Sequence, residues 1–399
     1  MTDLAALAAY DVRSPSADRG SVAPPANQRD ADLAEDLELG ENDSEEVHDF
    51  PPPERKIITQ PYDLSVQALV EQWGDKTLVL PEIQREYVWD NPRASKLIES
   101  LLLNIPIPVL YFAETDDAKW EIFDGHQRIR SVVRYINNEF ALSTLSLLAH
   151  FNRLRFHNLP IREQRFLERR TIRAIVISND SHPNMKFETF ERLNTGAVVL
   201  NAQEIRNSLY RGSFNTLLRS LAKSSDFRSL VGTKTPRKRM VDEELILRFF
   251  ALREGLKQYR PPLKRFLNEY MDSVKDAGPT KLRGLKDVFE TTAGVAYSVL
   301  GASAFRTTDS RGRLLETGVN RALFEAQMLA FSWVESPSTT AKKKASVVRE
   351  LAKLYRDTDF QDSIQRATGD RTRTLLRVRG IVTALRAAGV RVKAPRFLV

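Results

Sequence analysis

The sequence contains no cysteine, which excludes a disulfide scaffold, a thiolate zinc site and a cysteine nucleophile. It has only five histidines, none of them after His182, so there is little material for a histidine–metal centre. The phosphate loop GxxxxGK(S/T) and the GxSxG motif are also absent. No apolar run reaches the roughly 18 residues that cross a bilayer, and the first ten residues lack the basic region of a signal peptide. We therefore expect a soluble, cytoplasmic protein without a membrane partner.

The net charge of +8 hides a strong asymmetry along the chain. Residues 1–55 hold fourteen Asp and Glu against four Arg, whereas the remaining residues hold 56 basic and 38 acidic side chains. The acidic segment has few aromatic residues and several prolines, a composition that predicts a disordered tail. Such a tail is either a solvated leader or a nucleic-acid mimic that folds back over the basic body. The basic body favours a polyanionic partner, DNA or nucleotide, although many basic enzymes bind neither.

Beyond the tail, the pattern predicts an α+β protein with two folded domains. Residues 56–200 alternate short apolar runs with helical stretches, which indicates a small α/β domain, and residues 201–399 indicate an all-α helical domain. We expect Asn91 to cap a helix that has Pro92 at its first position. The strand candidates are 75–83, 108–114, 119–125 and 171–178. The helices expected after that at Asn91 lie near Ile129 and at 161–170, 184–194, 201–211, 214–222, 241–254, 263–276, 280–299, 320–334, 342–356 and 371–388.

A polar turn separates the strand candidate at 119–125 from the next helix, and it comprises Asp124, Gly125, His126, Gln127 and Arg128. Glycine permits a close backbone approach, and the new helix points its free N–H groups at whatever binds there. A phosphate is the obvious ligand, because the helix dipole and an arginine in the first turn both favour negative charge. Asp124 either holds a divalent cation beside that phosphate or caps the helix and pairs with Arg128. The spacing alone leaves both interpretations open.

A second polar and aromatic run follows the strand candidate at 75–83. Gln84 and Arg85 offer amide and guanidinium donors that suit a phosphate or a base edge. Tyr87 and Trp89 either stack on a base or anchor the loop under the following helix. Turns at the ends of strands in one sheet can open on the same edge, so we predict that Gln84 and Arg85 converge with the strand-to-helix turn on one cleft.

Two basic clusters complete the candidate binding residues. One precedes a helix with three acidic residues in its first turn, and the other lies within residues 366–399, which hold eight Arg and one Lys against one Asp. Contact with a phosphate backbone and an ordinary solvated surface are both open for these clusters. The residues predicted to contact nucleic acid are Lys234, Arg237, Lys238, Arg239, Arg371, Arg373, Arg377 and Arg379.

Four runs of the sequence, taken in order, resemble the N-terminal domain of GmrSD-type restriction endonucleases, a family with a ParB/sulfiredoxin-like fold. They are LPEIQREYVW, KLIESLLLNIPIPVLYF, FDGHQRIRSVVRYINNEFAL and FERLNTGAVVLNAQEIRN, and they span about residues 60 to 210. The family's DGQQR run corresponds to residues 124–128, with His126 in place of the usual glutamine. Its QR pair corresponds to Gln84 and Arg85.

This resemblance implies an antiphage, restriction-type function with nucleotide binding or hydrolysis in a ParB-like pocket. The cofactors that it implies are a nucleoside triphosphate and a divalent cation such as Mg²⁺. Larger relatives cut DNA with a C-terminal HNH nuclease that nothing here resembles, so we expect an NTPase or sensor that acts on DNA with a separate nuclease subunit. The alternatives are a non-catalytic DNA-binding module and a ParB-like DNA-nicking nuclease. The implied roles are catalysis for Asp124, Gln127 and Arg128, metal binding for Asp124, and nucleotide contact for Gln84, Arg85, Gly125, His126 and Arg128.

Overall fold

The computed structural model describes residues 52–80, 87–193, 200–309, 311 and 313–398. All of them belong to one compact unit of the chain, Glu41–Val399. The acidic tail expected over residues 1–55 lies outside the described residues, apart from a short 3₁₀ turn at Pro52–Arg55. The domain boundary expected near residue 200 stays a prediction.

A five-stranded mixed sheet forms the N-terminal part of the described chain. Its strands are β1 (Thr59–Ser65), β2 (Leu78–Val79), β3 (Leu110–Glu114), β4 (Trp120–Asp124) and β5 (Thr171–Ile177). The strand order is β1-β5-β3-β4-β2. The β1/β5 and β3/β4 pairs are antiparallel, whereas the β5/β3 and β4/β2 pairs are parallel. Successive side chains of a strand point to opposite faces, so both faces of this sheet need apolar cover.

Four helices provide part of this apolar cover. They are α1 (Val66–Gly74), α2 (Asn91–Leu102), α3 (His126–Ile136) and α4 (Ile161–Arg169). Phe112 of β3 and Ile122 of β4 are completely buried in one apolar cluster with Ile98 of α2 and Val132 of α3. The apolar positions of α2 recur at helical spacing, which is why the sequence periodicity predicts this helix correctly.

The neighbouring positions on β3 and β4 belong to a separate apolar cluster. Ala113 and Phe123 pack there with Phe187 and Phe190 of α5 (Pro183–Leu193) and with Ile205 of α6 (Ala202–Leu209). The rings of Phe123 and Phe190 stack with centroids 3.5 Å apart. The strands β3 and β4 are therefore buried on both faces, and their ends are the natural place for a ligand site.

The remaining described residues are mostly helical and share one large apolar core, whose centre includes Phe249, Phe250 and Phe324. These helices are α7 (Ser213–Ala222), α8 (Ser225–Val231), α9 (Val241–Gly255), α10 (Leu263–Val274), α11 (Pro279–Leu300), α12 (Arg321–Phe331), α13 (Pro337–Ala341), α14 (Lys344–Leu354), α15 (Thr358–Gln365) and α16 (Arg371–Ala387). Within the described residues, no helix is both long enough and apolar enough to cross a membrane.

Buried ion pairs tie this helical region to α6. Arg206 of α6 lies 3.3 Å from Glu244 of α9, and Arg248 bridges Glu244 at 2.8 Å to Glu325 of α12 at 3.0 Å. The chain of pairs ends on α16, where Arg377 lies 2.5 Å from Glu325. Burial raises the pKa of Glu244, but the surrounding guanidinium groups outweigh it and lower that pKa to about 2. These charges are paired throughout, as buried charges must be.

The mixed α/β part followed by helices confirms the expected α+β class at this level of detail. The nine helices expected from residue 184 onward are confirmed, while β1, α1, α8, α13 and α15 were not expected. One expected cap is wrong. Asp90, rather than Asn91, caps α2, because its carboxylate accepts the amide hydrogen of Arg93 at 2.9 Å, and Pro92 consequently occupies the second helical position.

Candidate functional site at the start of helix α3

A single glycine, Gly125, connects strand β4 to helix α3. β4 ends at Asp124, Gly125 adopts a left-handed conformation with φ of 101°, and α3 begins at His126 with no side-chain cap. A Cβ atom on Gly125 would lie 2.3 Å from Cδ2 of Leu110, a contact that no packed core accepts. Both the backbone angle and the close approach to β3 therefore require glycine here.

Asp124 and Arg128 form an ion pair across this turn. Their Oδ2 and Nη2 atoms are 2.5 Å apart at i,i+4 spacing, so Asp124 pairs with Arg128 and does not cap the helix. Arg128 also donates to the carbonyl oxygens of Pro108 and, at 3.3 Å, Val109. Its side chain is 12% exposed against 41% for Asp124. The guanidinium thus holds the loop before β3 against α3, and the carboxylate keeps an edge open to solvent.

His126 is a buried histidine with an unsatisfied nitrogen. The residue is 8% exposed, and its Nε2 has no hydrogen-bond partner within the described protein. Burial, assisted by the charge of Arg130, lowers the pKa of His126 to about 4. The imidazole is therefore neutral at pH 7 and offers one hydrogen-bonding atom that no described residue uses.

The side chain of Gln127 binds residues 88–89, which follow the polar residues Gln84 and Arg85, to α3. Its Oε1 accepts the amide hydrogens of Val88 at 2.9 Å and Trp89 at 3.2 Å. The hydroxyl of Tyr87 lies 2.9 Å from Oγ of Ser131 on the same helix. Residues 87–89 are therefore bound to the first two turns of α3.

The two aromatic rings of this run carry arginine on one face. The guanidinium of Arg134 lies 4.7 Å from the centre of the Tyr87 ring, and that of Arg93 lies 4.6 Å from the centre of the Trp89 ring. Together with the hydrogen bonds that Ser131 and Gln127 form with this run, these contacts favour an anchoring role for the two rings.

Gln84 and Arg85 lie outside the described residues, so their convergence with Asp124 and Arg128 stays a prediction. Among the described residues, no group of three or more His, Asp or Glu side chains is placed to hold a metal ion. The metal-binding role predicted for Asp124 stays a prediction.

Three of the arginines expected to contact nucleic acid are used inside the protein. Arg237 lies 2.7 Å from Asp242 and Arg239 lies 3.2 Å from Glu204. Arg377, only 1% exposed, pairs with the equally buried Glu325. Because these charges have internal partners, they are poorly placed to neutralise a phosphate backbone.

The other residues of the two basic clusters lie nearer the surface. Arg371, Arg373 and Arg379 each donate to a backbone carbonyl of the protein, at 3.2, 2.8 and 3.1 Å. Lys234 and Lys238 are exposed. Their predicted contact with nucleic acid stays a prediction.

Sequence reasoning did not anticipate a cleft of about 510 Å³ at the opposite end of β3 and β4. The lining of this cleft includes no described residue that the sequence predicted for a functional site. Its charged lining residues include Glu114, Asp116, Lys186, Arg211, Asp272 and Lys275. Several of these charges neutralise one another, as in the pairs of Arg211 with Glu121 and Lys275 with Asp272. The sequence feature that could have indicated this cleft is the acidic turn between β3 and β4, at residues 115–118.

Comparison with known proteins supports the resemblance of the N-terminal part. Residues 67–211 match the family model of the GmrSD restriction endonuclease, N-terminal domain. This segment begins in α1, contains the α3 turn, and ends just after α6. A search of curated proteins finds no match. The resemblance to the GmrSD N-terminal domain is therefore confirmed for this segment, and the helices beyond it are outside the match.

Proposed function

We propose that the protein is a restriction-type antiphage protein that binds the phosphates of a nucleoside triphosphate at the N-terminus of α3. The observation that carries this proposal is an eleven-residue helix with no side-chain cap that starts at the end of β4. The first amides of such a helix point outward, and the helix dipole adds a partial positive charge. The match to a restriction-endonuclease domain supplies the biological context.

The residues around this helix end fit a bound nucleotide. Arg128 provides the positive charge beside the anion, and Nε2 of His126, close to it in sequence, is a hydrogen-bonding atom that no described residue uses. Gln127 and Arg128 position the flanking loops through their bonds to residues 88–89 and 108–109. In this proposal Gln84 and Arg85 hold the base or the remaining phosphate oxygens.

A divalent cation fits the site when it arrives with the nucleotide. Mg²⁺ is usually bound by one or two carboxylates together with substrate phosphates, and Asp124 is a half-exposed carboxylate at this turn. The cation would supply charge neutralisation for the phosphates. Asp124 would orient it, and the first helical amides would bind the phosphate oxygens.

The wider function follows from the restriction-endonuclease match. We propose that nucleotide binding or hydrolysis controls a DNA-directed response, and that a separate nuclease subunit cuts the DNA. The mixed five-stranded sheet supports a ParB/sulfiredoxin-like assignment of the N-terminal part.

Calorimetric titration with the four ribonucleoside triphosphates, with and without Mg²⁺, tests this site. Arg128→Gln should weaken nucleotide binding by about 10- to 100-fold, the effect of removing a charge-assisted hydrogen bond. Asp124→Asn, which leaves the carbonyl bonds of Arg128 in place, should remove the Mg²⁺ dependence of binding.

The matched control is Arg173→Gln, because Arg173 forms an exposed pair with Asp63 at 2.7 Å on the other side of the sheet. This variant should bind nucleotide normally. Phosphate release by the same proteins separates hydrolysis from binding alone. Normal nucleotide affinity in a folded Arg128→Gln protein contradicts the proposal.

A further inference from the structure

Helix α4 carries a row of arginines that no other part of the described chain neutralises. Arg162, Arg165 and Arg169 are spaced at i, i+3 and i+7, so they share one helix face. All three are exposed, and within the described residues none forms an ion pair with a carboxylate. The opposite face is anchored in the core by Leu167, which is completely buried.

This face also exposes apolar side chains that a soluble helix usually buries. Phe166 is 50% exposed and Ile161 is 69% exposed. The guanidinium of Arg162 lies 5.3 Å from the centre of the Phe166 ring, so the aromatic group and the charge present one surface. The acidic residues of the helix, Glu163 and Glu168, lie to the sides of the arginine row.

The use of arginine elsewhere in the chain makes this face distinctive. Arg237 and Arg377, both from the basic clusters, form ion pairs with carboxylates inside the protein. The three arginines of α4 extend over about 10 Å of helix, and duplex DNA carries one phosphate charge per about 1.7 Å of its axis. Arginine is also the side chain whose planar fork binds phosphate in two places.

We propose that the exposed face of α4 is a docking surface for the phosphate backbone of double-stranded DNA. The choice of DNA rests on the proposed restriction-type function, whereas the surface itself is separate from the α3 turn. The arginines supply charge without sequence preference, and Phe166 and Ile161 pack against the sugar edge beside them. The protein would therefore hold DNA on one helix and nucleotide on another.

Fluorescence anisotropy of a labelled 30-base-pair duplex, titrated with the full-length protein at several salt concentrations, tests this surface. The substitution of Arg162, Arg165 and Arg169 by Gln should lower the slope of log affinity against log salt by about 3, one for each phosphate that is no longer neutralised. Gln is a good helix former, so thermal unfolding should be nearly unchanged. The corresponding replacement by Lys should keep the slope.

The matched control removes three other exposed positive charges, through Lys342→Gln, Lys344→Gln and Arg391→Gln. Its salt slope should stay that of the unmodified protein. An unchanged slope in the α4 variant, an equal reduction in both variants, or binding to anionic vesicles in place of DNA overturns the proposal. Nucleotide titration of the α4 variant should be normal, so failure of the DNA surface and failure of the nucleotide site give different results.

Discussion

Replacing Gly125 by alanine tests the geometry on which the nucleotide site depends. The residue has φ of 101° and ψ of 6°, a left-handed conformation that an alanine adopts at a cost of about 1–2 kcal/mol. The new methyl group would also lie 2.3 Å from Cδ2 of Leu110, a side chain that is completely buried. Extra volume in a packed core costs a further 1–3 kcal/mol or so.

The two effects act on the same residue and together predict a decrease of about 2–5 kcal/mol in the free energy of unfolding. Urea unfolding followed by tryptophan fluorescence measures this decrease. Trp73, Trp89 and Trp120 all belong to the sheet part of the chain and report on it directly.

Gly294→Ala is the matched control. Gly294 lies on an exposed position within α11, and a Cβ atom there meets nothing within 4 Å. Alanine should stabilise this helix by up to about 1 kcal/mol. Equal, small effects of the two substitutions would refute the tight strand-to-helix turn at Gly125.

Two further predictions concern buried ionisable groups. Arg377→Met should lower the free energy of unfolding by about 3–5 kcal/mol, because it leaves Glu325 buried with one partner fewer, and a thermal melt with no shift would contradict this. The folded protein should lose stability as the pH falls from 6.5 towards 4. The pKa of His126 is about 4 in the folded protein and has its ordinary value in the unfolded chain. The unfolded state therefore binds more protons than the folded state in this pH range. His126→Gln should flatten that part of the stability profile, and equal acid sensitivity of both proteins, followed by circular dichroism, would show that His126 is not the group responsible.

Sequence periodicity predicted most of the helices because their apolar faces are regular. The strand β1 was missed for a physical reason. It is an edge strand, mostly exposed, with Pro61 in its middle, so it lacks the apolar alternation that identifies a half-buried strand. The cap of α2 was placed one residue late because aspartate and asparagine, which stand next to each other at this helix start, are equally good caps.

The candidate site was predictable in its local chemistry and not in its partners. The spacing of Asp124 and Arg128 allowed their ion pair, which spans one helical turn, as one of two open interpretations. The partner of Arg377 could not be read from sequence, because Glu325 lies 52 positions away and only packing brings them together. The density of basic residues therefore predicted nucleic-acid contact for arginines that form ion pairs inside the folded protein.

The most direct test of the nucleotide site is amide hydrogen exchange over residues 126–128, measured with and without a nucleoside triphosphate and Mg²⁺. The N-cap residue Gly125 has no side chain to cap this helix, so the first helical amides should exchange rapidly in the free protein. Bound phosphate should slow exchange there and leave the exposed β1 edge unchanged. Nucleotide-dependent protection confined to the cleft lined by Lys186 and Lys275, with none at the start of α3, would contradict the proposed site.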